Sequence, residues 1–158
     1  MKSERKYSLL EAKHKLEAYC AYQERSSFEV QRKMITWGLD LEDQERLLAD
    51  LISNNFLSEE RFAEAFASGK YRIKKWGRIK IQLELKARKI SKYSIDKALK
   101  SIDEEEYWKN LVSLAERKWD SSSESDAFKK RAKVYRYLSS KGYETDLIKD
   151  AVDQVSEG

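Results

Sequence analysis

The chain has 158 residues and a formal net charge of +4, with 32 Lys and Arg residues against 28 Asp and Glu residues. It has no proline and only five glycines, which argues against a turn-rich all-β fold, and its single cysteine, Cys20, permits no internal disulfide. No apolar run approaches the roughly 18–20 residues that span a bilayer, and the first residues are polar. We therefore expect a cytoplasmic protein with no membrane contact.

Apolar residues recur at helical spacing along almost the whole chain, beginning with Leu9, Ala12 and Leu16. This period predicts α-helices that each bury one face. The predicted helices cover residues 8–24, 26–37 and 41–54, then 58–74, 77–89 and 92–102, and finally 103–120, 126–141 and 144–155.

Two helix starts carry the capping-box pattern, Ser8 with Glu11 and Ser26 with Glu29. In this pattern the serine oxygen and the glutamate carboxylate each accept a hydrogen bond from an amide that the first helical turn leaves unpaired. The pattern therefore predicts helix N-termini at Ser8 and Ser26.

The chain also repeats itself. Three stretches show two apolar residues four positions apart and then a helix-ending position four residues on: Val30, Met34, Gly38; Ile81, Leu85, Lys89; Val134, Leu138, Gly142. Glycine at 38 and 142 suits the left-handed residue that ends many helices. We predict an all-α, elongated array of three tandem three-helix repeats, over residues 1–57, 58–102 and 103–158, in which each repeat packs mainly on its neighbours.

Positive charge is concentrated in the second of these repeats. Residues 1–57 have a net charge of −1, residues 58–102 a net charge of +8 and residues 103–158 a net charge of −3. Such a local excess of positive charge indicates an anionic partner, with nucleic acid as the leading candidate. The ten candidate binding residues are Lys70, Arg72, Lys74, Lys75, Arg78, Lys80, Lys86, Arg88, Lys89 and Lys92.

These ten residues cannot share one helix face, so we expect a basic ridge around the corner between the fourth and fifth helices, with Ile73, Ile81 and Leu85 pointing inward. Phosphates bind such a surface through charge, without base information. Tyr71 and Trp76 lie between the basic residues, where each can either stack on bases or anchor the helices. We favour the anchoring role for Trp76 and leave both roles open for Tyr71.

Residues that carry catalysis are scarce. His14 is the only histidine, no His/Cys cluster has metal-ligand spacing, and no Gly-rich phosphate-binding loop is present. The acidic run 103–106 is placed to complement the positive end of a helix dipole. We therefore expect a protein that is not an enzyme and has no cofactor or metal ion.

Two stretches resemble motifs of a known family. Leu57–Phe66 reads Leu-Ser-Glu-Glu-Arg-Phe-Ala-Glu-Ala-Phe and resembles the signature of the RecX family of bacterial recombinase regulators. Gly77–Ile90 resembles a second motif of that family, roughly Gly-Pro-x-Arg/Lys-Ile-x-x-Glu-Leu-x-x-Lys-Gly-Ile. Arg78 stands where the family has proline and Lys89 where it has glycine. Within the first motif we expect core packing by the two phenylalanines and a structural ion pair at Arg61.

The resemblance implies a non-enzymatic regulator of the RecA recombinase, built from tandem three-helix repeats and acting in DNA repair and recombination. Such proteins lodge in the groove of the RecA–single-stranded DNA filament and limit filament growth or strand exchange. The implied partners are the RecA filament and single-stranded DNA, with double-stranded DNA as a further candidate, and we expect a monomer. Two alternatives stay open: a helix-turn-helix transcription regulator that reads a specific DNA sequence, and a helical adaptor with no nucleic-acid role.

Overall fold

The computed structural model describes residues 4–158, and nine α-helices occur within that range. Their bounds are α1 Leu9–Tyr22, α2 Ser27–Thr36, α3 Leu41–Ser53, α4 Glu59–Arg72, α5 Arg78–Ala87, α6 Lys92–Lys100, α7 Glu104–Ser121, α8 Ala127–Ser140 and α9 Thr145–Glu157. We refer to α1–α3, α4–α6 and α7–α9 as the first, second and third repeats. The all-α fold class and its three-helix units, predicted from the apolar period, are confirmed. Within residues 4–158, no helix combines the length and hydrophobicity that a bilayer crossing needs.

Side-chain caps begin most of the helices. Both predicted capping boxes are present, Ser8 with Glu11 at α1 and Ser26 with Glu29 at α2. Five further helices have an aspartate or serine whose side chain accepts an amide of the first turn: Asp40, Ser58, Ser91, Asp103 and Asp126. A cap of this kind contributes on the order of 1 kcal/mol to the stability of the protein. α5 has none, because its N-cap residue is Gly77.

Each repeat turns from its second to its third helix through a residue in the left-handed conformation. Gly38 has φ +74° and Gly142 has φ +94°, as the repeat pattern predicts, and Lys89 has φ 60° at the equivalent position of the second repeat. This conformation costs a non-glycine residue roughly 1–2 kcal/mol. The three repeats therefore share one backbone turn, and only the second makes it without glycine.

Two hydrophobic cores hold the chain together. The first repeat has a core of its own, in which Leu16 and Met34 are fully buried. The second and third repeats share a single core, where Leu85 of α5, Leu111 of α7 and Leu138 of α8 are fully buried. The second and third repeats thus form one packed body, and the first repeat is joined to it through a different kind of contact.

Ile73 lies outside the core, contrary to the expectation from sequence. It is 78% exposed, whereas Ile81 and Leu85 are fully buried as expected. α4 buries Ala67 and Tyr71 on one face, and Ile73 is the C-cap residue two positions beyond Tyr71, which places it on the other side of the chain. α4 ends at Arg72, so the helical spacing from which we predicted an inward position for Ile73 does not extend to that residue.

The surface of the molecule is large for its mass. The accessible surface is 9985 Å², whereas a compact monomer of the same mass exposes about 8,200 Å². A chain of small units that each contact only their neighbours leaves such an excess of exposed surface.

The third repeat supplies the missing cap of α5. The amides of Gly77 and Ile79 donate to the carbonyl oxygens of Lys141 and Gly142, at 2.8 and 2.9 Å. A tyrosine hydroxyl of α7 accepts the amide between them, at 2.9 Å. Three amides at the start of α5 are therefore satisfied from another repeat. The backbones approach so closely that a Cβ atom at position 77 would lie 2.2 Å from the Gly142 oxygen.

A similar backbone contact occurs at the first repeat. The Lys6 amide donates to the Trp37 carbonyl at 2.8 Å, and a Cβ atom at Gly38 would lie 2.5 Å from the Glu4 oxygen. At the equivalent turn around Lys89, no other segment within residues 4–158 makes a backbone hydrogen bond. Glycine is thus required at the two turns against which backbone packs, and lysine is tolerated at the third.

Replacing Gly77 by alanine tests the backbone contact between the second and third repeats. We expect Gly77→Ala to lower the free energy of unfolding by about 2–3 kcal/mol, because the added methyl group pushes two backbones apart. Urea denaturation followed by circular dichroism measures the change. Gly69→Ala is the matched control: no atom lies within 4 Å of a Cβ there, so alanine in the interior of α4 should stabilise the protein by about 0.5–1 kcal/mol. Equal effects of the two substitutions would contradict the close contact at Gly77.

Candidate nucleic-acid interface

Nine of the ten candidate binding residues divide into three sets by position. Three lie at the junction with the third repeat, three line a groove toward the first repeat, and three lie on the surface around the end of α5 and the start of α6. In that order the sets are Arg72, Lys75 and Arg78; Lys70, Lys74 and Arg88; and Lys86, Lys89 and Lys92. The tenth, Lys80, has its backbone against Gly142 of the third repeat and its ammonium group over the ring of Trp76.

Arg78 is committed to the third repeat. Its guanidinium bonds the carboxylates of Glu104 and Glu144 at 2.8 Å each, lies 4.0 Å from the ring centre of Tyr107, and is only 17% exposed. Burial acts to lower the pKa of Arg78, but the hydrogen bond and charge of Glu144 outweigh it and raise the pKa. Burial and the hydrogen bond that the Tyr107 hydroxyl donates to Glu144 raise the pKa of that phenol, so it remains a donor at neutral pH. The charge of Arg78 is therefore balanced inside the protein.

The contacts of Arg78 also explain why α5 can begin at this residue without the proline of the family motif. It is the first residue of α5, the position where proline is well tolerated because its missing amide would be unpaired. In this chain the Arg78 amide donates to the Tyr107 hydroxyl at 2.9 Å. The substitution replaces a rigid turn residue with cross-repeat hydrogen bonds and keeps the helix start in place.

The other two junction residues are engaged as well. Lys75 donates to the Asn110 side-chain oxygen at 3.0 Å, and the Asn110 amide donates to the Tyr71 carbonyl at 2.8 Å. Arg72 donates to the Tyr71 hydroxyl at 2.9 Å and lies 3.7 Å from the carboxylate of Glu106. The side chain of Tyr71 is 2% exposed. Tyr71 is consequently an anchor between repeats, and base stacking by its ring is ruled out in this conformation.

A groove of about 770 Å³ separates the first and second repeats. Aromatic and aliphatic side chains contribute to its lining: Phe28, Phe62, Phe66 and Ile73. Four basic side chains also line it: Arg32, Lys70, Lys74 and Arg88. The groove combines an apolar surface with positive charge, and these are the two features that single-stranded nucleic acid requires of a binding channel.

The acidic residues of the groove are paired with other side chains. Glu24 bonds Arg61 of α4 at 3.0 Å, and Glu29 lies 3.8 Å from Arg25 while also completing the capping box of α2. These carboxylates are therefore balanced by neighbouring arginines. Arg32 lies on α2, outside the run of basic residues in the sequence, and it could not be recognised from sequence because only the fold brings it into the same groove as Lys70 and Lys74.

Two aromatic rings organise the cations beside the groove. The ammonium groups of Lys70 and Lys80 lie 4.8 and 4.5 Å from the ring centre of Trp76. Lys70 and Arg88 likewise lie 5.3 and 4.8 Å from the ring centre of Phe66. Cations are attracted to aromatic ring faces, so these contacts hold three basic side chains together, of which Arg88 is also paired with Glu84. Trp76 is half-buried and packs against the shared core, in agreement with the anchoring role favoured from sequence.

Four of the ten basic residues have a carboxylate partner within the described chain: Arg72, Arg78, Arg88 and Lys92. Lys75 is occupied by Asn110. The remaining five form no ion pair within residues 4–158, and we call them the unpaired lysines: Lys70, Lys74, Lys80, Lys86 and Lys89. Five of the ten basic residues predicted from the sequence therefore have a positive charge that no carboxylate of the described chain balances.

The Leu57–Phe66 motif has a structural role. Glu59 accepts hydrogen bonds from the Ser91 amide at 2.9 Å and from the hydroxyls of Ser91 and Ser94 at 2.8 Å each, which joins the starts of α4 and α6. Burial acts to raise the pKa of Glu59, but these hydrogen bonds outweigh it and lower the pKa. Arg61 forms a structural ion pair as expected, but its partner is Glu24 of the first repeat, whereas the sequence suggested the neighbouring glutamates of the motif. Within residues 4–158, no three His, Cys, Asp or Glu side chains are grouped closely enough to hold a metal ion.

Three tandem three-helix units with a cationic middle unit define a helical-repeat protein, and comparison with known proteins identifies the family. Family models described as "RecX, second three-helix domain" and "RecX, third three-helix domain" match residues 58–99 and 104–152. A "Regulatory protein RecX" of Pseudomonas savastanoi pv. phaseolicola is 34% identical over 131 residues, which are 81% of this chain and 81% of that protein. The chain belongs to the RecX family of regulatory proteins.

Further relatives agree with this assignment. A "Regulatory protein RecX" of Clostridium botulinum is 35% identical over 128 residues, which are 80% of this chain and 59% of that protein. The chain therefore spans less than two thirds of the length of that relative. The crystal structure of RecX from Lactobacillus salivarius has the same fold, with a TM-score of 0.84 at 20% identity over 95% of this chain and 97% of that one.

Lys89 offers a test that separates backbone strain from charge. We expect Lys89→Gly to raise the free energy of unfolding by about 1 kcal/mol, because glycine adopts φ 60° without a Cβ clash. Lys89→Ala is the control: it removes the same charge but keeps the Cβ atom, so it should bring no comparable gain. Thermal and urea unfolding of the two variants measure the difference, and equal stability of the two would show that position 89 stores no such strain.

Proposed function

We propose that this protein is a non-enzymatic modulator of the RecA recombinase that binds the RecA–single-stranded DNA filament and limits filament growth or strand exchange. The observation that carries the proposal is the set of five unpaired lysines on the middle repeat of a chain that belongs to the RecX family. Family membership supports the regulatory role, and the lysines support contact with a nucleoprotein. A filament on DNA also implies a cytoplasmic site of action.

The unpaired lysines and the groove suit a phosphate backbone. Lysine side chains neutralise phosphates and release condensed counterions, which favours binding without base sequence. Arg32 of the first repeat and Lys74 of the second line the same groove, so a strand in the groove would contact both repeats. Binding of this kind is independent of sequence, as a modulator of a filament that coats any single strand requires.

The extended array suits a partner made of repeating subunits. α7 has 18 residues and is therefore about 27 Å long, and three repeats together present a surface longer than one compact domain. The shared core and the cap on α5 fix the second repeat against the third. A monomer of this shape can contact neighbouring subunits of a filament through different repeats at once.

The ATPase activity of RecA on single-stranded DNA tests the proposed function directly. We expect this protein to inhibit that activity at fewer than one molecule per RecA subunit, because blocking growth at one position affects the subunits that would follow. Bovine serum albumin at equal concentration serves as the control. Full ATPase activity at stoichiometric ratios would overturn the proposal, and sequence-selective protection of a duplex would favour a transcription regulator.

The salt dependence of DNA binding tests the unpaired lysines. Serine at Lys70, Lys74, Lys80 and Lys86 should weaken binding to a fluorescent oligo-dT, because phosphates that these side chains neutralise would keep their counterions. The slope of log affinity against log salt should fall by about 0.7 for each such phosphate. Fluorescence anisotropy between low and moderate salt provides the slope.

The matched control removes four lysines that form ion pairs: Lys13, Lys92, Lys97 and Lys109. Both variants have the same net charge, so an effect of overall charge would lower the two slopes equally. We expect a smaller change in the control. The same slope in both variants would remove the unpaired lysines from the interface.

A further inference from the structure

α8 forms a second basic segment, outside the second repeat. From Ala127 to Lys141 the chain has six Lys and Arg residues and no Asp or Glu. Residues 103–158 nevertheless have a net charge of −3, because the acidic run at the start of α7 and the acidic residues of α9 outnumber these cations. α8 is attached to the core through Val134 and Leu138, which are fully buried, and Tyr135 and Tyr137 pack partly against it. Phe128, Lys129 and Arg136 are exposed to solvent.

Half of these charges are held by other parts of the third repeat. Arg131 bonds Asp153 and Ser156 of α9, Lys133 lies 3.5 Å from Glu124, and Lys130 lies 4.3 Å from the ring centre of Trp119. Lys129 and Arg136 are exposed and form no ion pair within residues 4–158. The same holds for Lys149 of α9, which lines one cleft with Arg136.

Two aromatic rings lie in this cleft. Phe128 is 81% exposed, and Tyr135, seven residues further along α8, lies on the same side of the helix about 10 Å away along its axis. Ala132 lies between them and leaves the floor of the cleft open. A single exposed apolar residue is ordinary on a protein surface, so what distinguishes this cleft is the combination of the Phe128 ring with Arg136 and Lys149.

The cleft is small, with a volume of about 300 Å³. A groove that binds a protein helix needs a long row of apolar side chains, whereas this one has a few apolar residues between cations. A flat ring beside unpaired cations suits a nucleotide, whose base stacks on the aromatic face while its phosphates contact lysine or arginine. A duplex keeps its bases stacked inside, so only an unpaired strand can offer one.

We propose that Phe128, Tyr135, Arg136 and Lys149 form a second binding site for single-stranded nucleic acid on the third repeat. Phe128 stacks on a base, and Arg136 and Lys149 contact the adjoining phosphates. Arg131 also lines the cleft, but its charge is balanced by Asp153 of α9, so it adds a fixed side chain and no free positive charge. The site shares no residue with the unpaired lysines of the second repeat, so it stands independently of the proposed function.

Ultraviolet cross-linking of the full chain to oligo-dT, followed by mapping of the modified peptides, tests the site. We expect adducts on the peptide that contains Phe128 or Tyr135, and we expect them to persist in the variant with serine at Lys70, Lys74, Lys80 and Lys86. Adducts confined to the second repeat would overturn the proposal, while leaving the contact of that repeat with DNA intact.

Affinity measurements supply the second arm. The triple variant Phe128→Ala, Arg136→Ser, Lys149→Ser changes only exposed side chains. We expect it to bind oligo-dT about tenfold more weakly, because one base no longer stacks on a ring and two phosphates are no longer neutralised. The control, Tyr93→Ala, Lys109→Ser, Arg117→Ser, also removes one exposed aromatic ring and two cations and should bind like the parent.

The same variants distinguish nucleic acid from a protein partner. If the triple variant retains its affinity for oligo-dT but no longer inhibits the RecA ATPase, the cleft contacts protein and the nucleic-acid assignment is wrong. Circular dichroism of each variant establishes that the helices are intact, and the conservative change Arg136→Lys, which keeps the charge, should restore most of the affinity that Arg136→Ser loses.

Discussion

The start of α5 depends on the third repeat. Gly77 has no side chain to cap the helix, and the carbonyl oxygens of Lys141 and Gly142 accept its first amides instead. Unpaired amides in a partly buried contact cost about 1–3 kcal/mol each, so the second repeat is complete only with the third in place. The shared core and the buried Arg78–Glu144 pair follow from the same contact. Two sequence repeats thereby become one structural body.

The first repeat is built differently. Its second helix begins with a complete capping box, Ser26 with Glu29, so that helix needs no cap from the repeat that follows. The contact with the second repeat is made by side chains such as Glu24 and Arg61, and a groove remains where the other junction is closed. The open junction thus goes with a self-capped helix at Ser26, and the closed one with a helix that the next repeat caps at Gly77. The open junction is where the cations of two repeats meet.

Local signals explain why much of the fold could be predicted, because helix period, capping pairs and helix-ending glycines act within a few residues. The nine helices of residues 4–158, both capping boxes and the left-handed Gly38 and Gly142 were all predictable. Three features were not. Arg78 is paired with Glu104 and Glu144, which lie 26 and 66 positions away in the sequence. Arg32 lines the groove although it belongs to another repeat. The cations of α8 are cancelled by acidic residues when charge is summed over residues 103–158. Each depends on tertiary contacts or on a finer charge window.

Lys89 connects the fold to the surface charge. The equivalent turns of the other two repeats have glycine at this position, Gly38 and Gly142. At each of them the backbone of another segment lies so close that a Cβ atom on the glycine would clash with that backbone. No other segment of the described chain makes a backbone hydrogen bond at the turn of the second repeat, and the contact beside it is made by a side chain, Glu59 on Ser91. A side chain therefore fits at position 89, at the strain of the left-handed conformation. A charged residue can occupy such a turn at modest cost in stability. The break in the regular packing of the array is therefore what allows positive charge to extend from the groove around the end of α5.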